Sequence, residues 1–152
     1  MKTYYCNRDN IKLPEELANS RNLYFRGLGE KAEEEFRKAG IQSPQDGDFS
    51  VGRGVFFSDK LEYAADFSKG RILITTKNRL QTKRIIDTRD LRCYEKMNEI
   101  FEKRTQPYTQ WDVHLAILEH DTLSTADENC CTIYTARREI GTKDLLAQII
   151  LN

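Results

Sequence analysis

The chain carries no excess of either charge, with 24 lysines and arginines against 24 aspartates and glutamates. That balance removes the electrostatic footprint of a dedicated nucleic-acid binder. The densest basic stretch, Lys77, Arg79, Lys83 and Arg84, reads as a solvated turn or strand edge. No apolar run approaches the ~20 residues needed to span a bilayer, so no membrane segment is expected. The start, MKTYYCNRDNIKLPEE, lacks the uninterrupted apolar stretch of a secretory signal. The expected location is cytoplasmic, with delivery into a host or target cell by a non-classical route as the alternative.

Metal and thiol chemistry are equally thin. The four cysteines, Cys6, Cys93, Cys130 and Cys131, form no C-x-x-C pair and have no histidine at metal-ligand spacing. Cys130 and Cys131 are chain neighbours, which point to opposite faces of a strand and cannot readily chelate one ion. Reduced structural thiols and no metal are the expectation. The two histidines, His114 and His120, miss the i, i+4 spacing of a shared helix face and read as ordinary structural residues. Neither G-x-G-x-x-G nor G-x-x-x-x-G-K-[ST] occurs, which withholds support from a Rossmann or P-loop nucleotide site. Repeats, low-complexity linkers and an evident oligomerisation signal are also lacking.

What is present is an ordinary soluble composition, 39% hydrophobic and 32% charged. At 152 residues the chain is the size of one domain, expected over 1–152, which buries roughly two-thirds of the surface its unfolded chain exposes. NLYFRG predicts a strand ended by Gly27. GEKAEEEFRKAG predicts a helix with Ala32, Phe36 and Ala39 as its apolar stripe and Gly40 as its stop. A polar glycine loop then opens into VFF, followed by a helix over SDKLEYAADFSKG, capped by Ser58 or Asp59, burying Leu61, Ala64, Ala65 and Phe67, and stopped by Gly70. RILITTK and KRIIDT predict strands, DLRCYEKMNEIFEKR and YTQWDVHLAILEH predict helices, and the end of the chain predicts one or two closing strands. Clustered helices among strands able to pair antiparallel favour α+β over a doubly wound sheet.

The order YFRG, helix, glycine loop, GRGVFF, helix SDKLEYAADF and late strands resembles the ADP-ribosyltransferase fold, closest to its poly(ADP-ribose) polymerase-like group. The resemblance covers roughly residues 22 to 75 and the tail TIYTARREIGTKDLLAQIIL. It implies a pair of small antiparallel sheets flanked by helices that bind NAD+ between them as a substrate. It also implies a mono-ADP-ribosyltransferase that cleaves the nicotinamide–ribose bond and transfers ADP-ribose to a protein or nucleic-acid acceptor. An NAD+ glycohydrolase toxin and a catalytically inactive binding module on the same fold are the alternatives.

Within that resemblance, Gly27 lets its backbone approach the nicotinamide carboxamide, where a side chain would block the hydrogen bonds. Phe67, one helical turn past Tyr63, and Phe56 are the implied walls of a stack for the pyridinium ring. Arg26 forks the pyrophosphate or ribose oxygens and is counted with the catalytic residues. Gly54, Ser58 and Tyr63 complete the implied cofactor-binding set. The leaving ring creates an oxocarbenium-like ribose, and a carboxylate beside it is the natural stabiliser. Glu128 is the implied acid and Glu139 the second candidate.

The departures are specific. The polymerase-like group has histidine where this chain has Arg26, which instead resembles the first motif of arginine-type toxin transferases. Phe56 replaces a tyrosine and Ala64 a carboxamide-holding serine. Cys130 falls where the glutamate is expected, so Glu128 reaches the site only after a two-residue shift that keeps it on the same strand face.

Overall fold

The computed structural model describes residues 1–45, 54–80, 85–87, 122–126, 132–136 and 138–152. These form an α+β architecture. In chain order the elements are β1 (Lys2–Cys6), β2 (Leu23–Gly27), α1 (Glu30–Ala39), β3 (Ile41–Gln42), β4 (Val55–Ser58), α2 (Leu61–Phe67) and β5 (Arg71–Thr76). They continue with α3 (Lys77–Leu80), β6 (Ile85–Asp87), β7 (Thr122–Ala126), β8 (Thr132–Ala136), β9 (Ile140–Gly141) and β10 (Ala147–Leu151). A 3-10 turn, Glu15–Leu17, precedes β2, and a second, Thr142–Asp144, precedes β10.

Strand alternation divides the core between two faces of one sheet. In β2, Leu23 and Phe25 join Ile72, Ile74 and Ile149 beneath α2, where Leu61 and Ala64 cover them. The intervening Tyr24 joins Leu73, Val55 and Phe57 on the opposite face, covered by Ala32 and Phe36 of α1 and by Leu80 of α3. The period of two in β2 and β5 thus feeds both layers. Burying a side chain such as Phe57, 1% exposed, contributes roughly 2–3 kcal/mol. Arg71 ties α1 to this sheet: its guanidinium donates to both Glu33 carboxylate oxygens at 2.9–3.2 Å and to Gln148 at 2.6 Å, and lies 5.2 Å from the Phe36 ring centroid.

The sheet order is β1-β10-β5-β2-β4-β8-β7-β6, beside a two-stranded ribbon of β3 and β9. The implied pair of small antiparallel sheets therefore takes another form. One sheet is wide and mixed, since β1 runs parallel to β10 and β6 parallel to β7. That wide sheet nevertheless has a seam. β2 pairs with β5 along its whole length, from Leu23 opposite Thr76 to Gly27 opposite Ile72, yet its register with β4 is the single pair Phe25 and Ser58. Beyond it the two strands part, and four strands lie on either side.

Local signals explain most boundaries. Gly40 ends α1 in the left-handed conformation, φ 67°, where its N–H reaches the Phe36 carbonyl at 2.7 Å. Ala32 and Phe36 form the buried stripe, whereas Ala39 is exposed. The helix after VFF starts at Leu61 with Lys60 as its N-cap, and Lys60 makes no side-chain cap bond. Ser58 instead accepts the Lys60 N–H at 3.0 Å, so it shapes the turn before the helix. α2 buries Leu61 and Ala64, leaves Phe67 exposed and ends before Ser68, short of Gly70. The sequence pattern predicts no strand at β1, β3 or β7. β1 is a half-exposed edge whose polar and aromatic residues make no clean alternation. The closing region holds three strands, not one or two, because Gly141 and the 3-10 turn break its pattern. The helices expected over 90–104 and 108–120 lie outside the described residues, as do Cys93, Cys130, Cys131, His114 and His120. No helix among the described residues is long and apolar enough to cross a membrane.

Asp144 pins the end of β9. Its carboxylate, 5% exposed, accepts the Gly141 N–H at 3.0 Å and two Arg138 bonds at 3.1 Å, while Arg138 also reaches the Leu80 carbonyl at 2.9 Å. Burial pushes this carboxyl up, but the Arg138 and Gly141 bonds and the Arg138 and Lys143 charges prevail and hold it below its ordinary 3.8. A carboxyl depressed in the folded state stabilises the fold above its unfolded value and loses that contribution as pH falls through the folded one. Asp144→Asn is therefore expected to cost about 1–3 kcal/mol at pH 7. Urea midpoints of variant and wild type should converge as the pH falls below the carboxyl's ordinary 3.8.

Candidate functional site

At the seam, where β2 leaves β4, the side of α2 closes over a cavity of about 240 Å³. Its lining brings together six residues that the sequence singled out: Arg26 and Gly27 from the end of β2, Phe56 and Ser58 from β4, and Tyr63 and Phe67 from α2. Phe25, Gly29, Phe57 and Ala64 complete it. Gly54 is not part of the lining. Its N–H and C=O are both taken by Gln45, at 2.9 and 3.0 Å.

Each position follows from local structure. α2 is short and its i, i+4 pair Tyr63 and Phe67 stacks along one side, with ring centroids 5.1 Å apart and tilted by 55°. Phe67 is 56% exposed, so the core does not claim it. Phe56 is half-buried because the alternation of β4 sends Val55 and Phe57 inward. Ser58 contributes to the wall, but its hydroxyl is occupied by the Lys60 backbone.

Gly27 has a reason that its sequence context hid. An added Cβ would lie 1.9 Å from the Ala64 carbonyl oxygen and 3.0 Å from the Ser68 nitrogen, both backbone atoms of the α2 segment. The missing side chain is what allows α2 to sit against β2 and shape the cavity. Ala64, 2% exposed, is small for the same close approach.

Arg26 is the cation of the site. Its Nε donates to Gln42 Oε1 at 2.8 Å, and its Nη1 reaches across the seam to the Phe56 carbonyl at 3.3 Å. No carboxylate among the described residues lies within ion-pairing distance, and burial lowers the guanidinium from its ordinary range to about 10, with the Glu35 charge working the other way. It remains a cation at neutral pH. Glu35 itself is held by the Ser43 N–H at 2.6 Å.

Gln42, absent from the residues that the motifs singled out, is 1% exposed. Its amide donates to the Ala32 carbonyl at 2.8 Å and the Ile41 carbonyl at 3.2 Å, while its oxygen takes Arg26. A polar residue immediately after a helix-stopping glycine looks like loop, and no local signal marks it as buried. Of the two implied acids, Glu128 lies outside the described residues. Glu139 is exposed and immediately precedes Ile140, whose ladder partner is Gln42.

The aromatic wall supports a direct expectation. Phe67→Ala removes a half-exposed ring, so folding stability should fall by less than about 1 kcal/mol. The affinity for a ligand bearing a pyridinium ring should drop by about 1 kcal/mol, with ADP-ribose unaffected, as read by calorimetry. Equal losses for both ligands together with a lower melting temperature would assign Phe67 to the core.

No protein-family model matches this chain, and no curated protein sequence matches it. A crystal structure of an anti-CRISPR protein is similar to it at 11% sequence identity and a TM-score of 0.38, over 78% of this chain and 94% of that one. At that score the likeness bears on neither fold nor function.

Proposed function

We propose that the seam cavity binds the nicotinamide end of NAD+ and that the protein is a mono-ADP-ribosyltransferase on an ADP-ribosyltransferase-like fold. The observation that carries this reading is the convergence of Arg26, Gly27, Phe56, Ser58, Tyr63 and Phe67, from three separate elements, on one cavity. A volume near 240 Å³ falls below the ~300–1,000 Å³ of sites that enclose a drug-sized ligand whole. It suits one end of a dinucleotide, with the rest lying along the seam. Phe56, Tyr63 and Phe67 supply faces for a cationic ring, and Arg26 supplies charge-assisted donors for the phosphate or ribose oxygens.

The chemistry asks little more of the protein. Bond cleavage releases nicotinamide and leaves a ribosyl cation that a carboxylate stabilises before the acceptor attacks. Glu128 is the implied acid, and Glu139, whose chain neighbour Ile140 pairs with the residue that holds Arg26, is the second candidate. The acceptor is a protein or nucleic acid, and the transfer requires no metal.

Purified protein incubated with NAD+ and a cell extract should release nicotinamide and place labelled ADP-ribose on a macromolecule. Glu128→Gln should abolish the label, and survival of full labelling would move the acid to Glu139. Nicotinamide and free ADP-ribose in equal amounts without an acceptor would make the protein a glycohydrolase. Binding of NAD+ without release of nicotinamide would make it a non-catalytic module.

A further inference from the structure

We infer that Gln42 is the positioning residue of the site: it holds Arg26 by Nε without neutralising it, and so makes the cavity selective for a phosphate- or diphosphate-bearing ligand. The inference rests on the proposed function only for the identity of that ligand. Arg26 is half-buried, and an arginine withdrawn from water is ordinarily paired with a carboxylate. Here the residue in contact with Nε is a neutral amide whose three polar contacts are all used: two donated bonds anchor it to the Ala32 and Ile41 carbonyls, and its oxygen faces the guanidinium at 2.8 Å.

The anchor comes from the fold. Ala32 belongs to α1, and the ribbon of β3 and β9 sets Gln42 opposite Ile140. Gln42 therefore stays fixed when a ligand arrives. With Nε on Gln42 and Nη1 on Phe56, Nη2 is the guanidinium nitrogen that has no hydrogen-bond partner among the described residues. An anion that bonds to it recovers part of the solvation Arg26 lost on folding, whereas a neutral ligand does not. A carboxylate at position 42 would supply that compensation from within and remove the preference.

Calorimetry on the full chain tests this with three probes: NAD+, inorganic pyrophosphate and neutral nicotinamide. Gln42→Glu should weaken NAD+ and pyrophosphate by about 30-fold or more, by pairing with Arg26. Gln42→Met, which frees the guanidinium to swing, should weaken them by about 5- to 10-fold. Nicotinamide should bind all three proteins alike, a pattern that a general loosening of the fold would not produce.

Because both variants lose the bonds to Ala32 and Ile41, the wild type carries an independent reading. In 15N-edited spectra the Arg26 Nε–H should stay protected from exchange when pyrophosphate is added, while the Nη signals shift. Folded variants that bind NAD+ and pyrophosphate like wild type would overturn the inference and leave the proposed function standing. Loss of Nε–H protection on ligand addition would also overturn it. Pyrophosphate binding that depends on Gln42 without any NAD+ binding would uphold the inference and overturn the proposed function. A wild type that binds neither probe would overturn both.

Discussion

Gly27→Val is expected to lower the melting temperature of the protein sharply. The new Cβ would sit 1.9 Å from the Ala64 carbonyl oxygen, where no side-chain rotation relieves the overlap because the obstacle is helix backbone. Either α2 lifts from β2 or the end of β2 detaches from Ile72, its partner in β5. Overpacking of this kind costs about 3 kcal/mol or more, a large share of the ~5–15 kcal/mol that holds a domain folded. Backbone strain is not the cause, since Gly27 lies outside the left-handed region. Gly29→Ala is the control. Its Cβ would meet its nearest neighbour, the Phe67 carbonyl oxygen, at an ordinary 3.8 Å, so urea unfolding should show a loss of under about 1 kcal/mol. A cooperative melt of Gly27→Val near the wild-type temperature would show that α2 does not pack there.

Arg26→Met should cost activity far more than stability. Removing a charge-assisted clamp from a desolvated site typically lowers turnover by about 100-fold or more. The stability effects oppose one another. A cation whose pKa burial has lowered is a net cost to the fold below about pH 10, and methionine removes that cost. Gln42 Oε1 is left without its donor, which costs about 1–3 kcal/mol. The net change should stay within about 2 kcal/mol, and nicotinamide release by the folded variant should be near background. Arg26→Lys retains the charge without the fork and should recover only part of the activity. Wild-type turnover in Arg26→Met would remove Arg26 from the site.

The local punctuation of this chain was legible without coordinates. Gly40 stops a helix because it alone there reaches the left-handed region cheaply, and the polar loop ends at the apolar triplet VFF, whose Val55 and Phe57 share a face. The residues around the cavity were also legible as a set, since a motif is a short-range pattern and β2, β4 and α2 all fall between residues 22 and 68. Their individual reasons were less so. Gly27 looked like a ligand-facing glycine, and its Cβ direction leads into α2 instead. Phe67 looked like core, and the early end of α2 leaves it at the cavity mouth. Gly54 looked like part of the site, and its pairing with Gln45 takes it away.

Composition and periodicity by themselves determined the α+β class, the glycine stop of α1 and the burial of Ala32, Phe36, Leu61 and Ala64, because each depends on neighbours within about one or two helical turns or strand steps. Only the tertiary structure decided that β2 and β4 part after one register pair, that α2 closes the gap, and that Gln42 rather than a carboxylate meets Arg26. Those outcomes depend on contacts between residues 16 to 41 positions apart, whose geometry is set by how the layers stack. No spacing along the chain encodes which side chain will face a half-buried guanidinium, because desolvation acts through space and not through sequence.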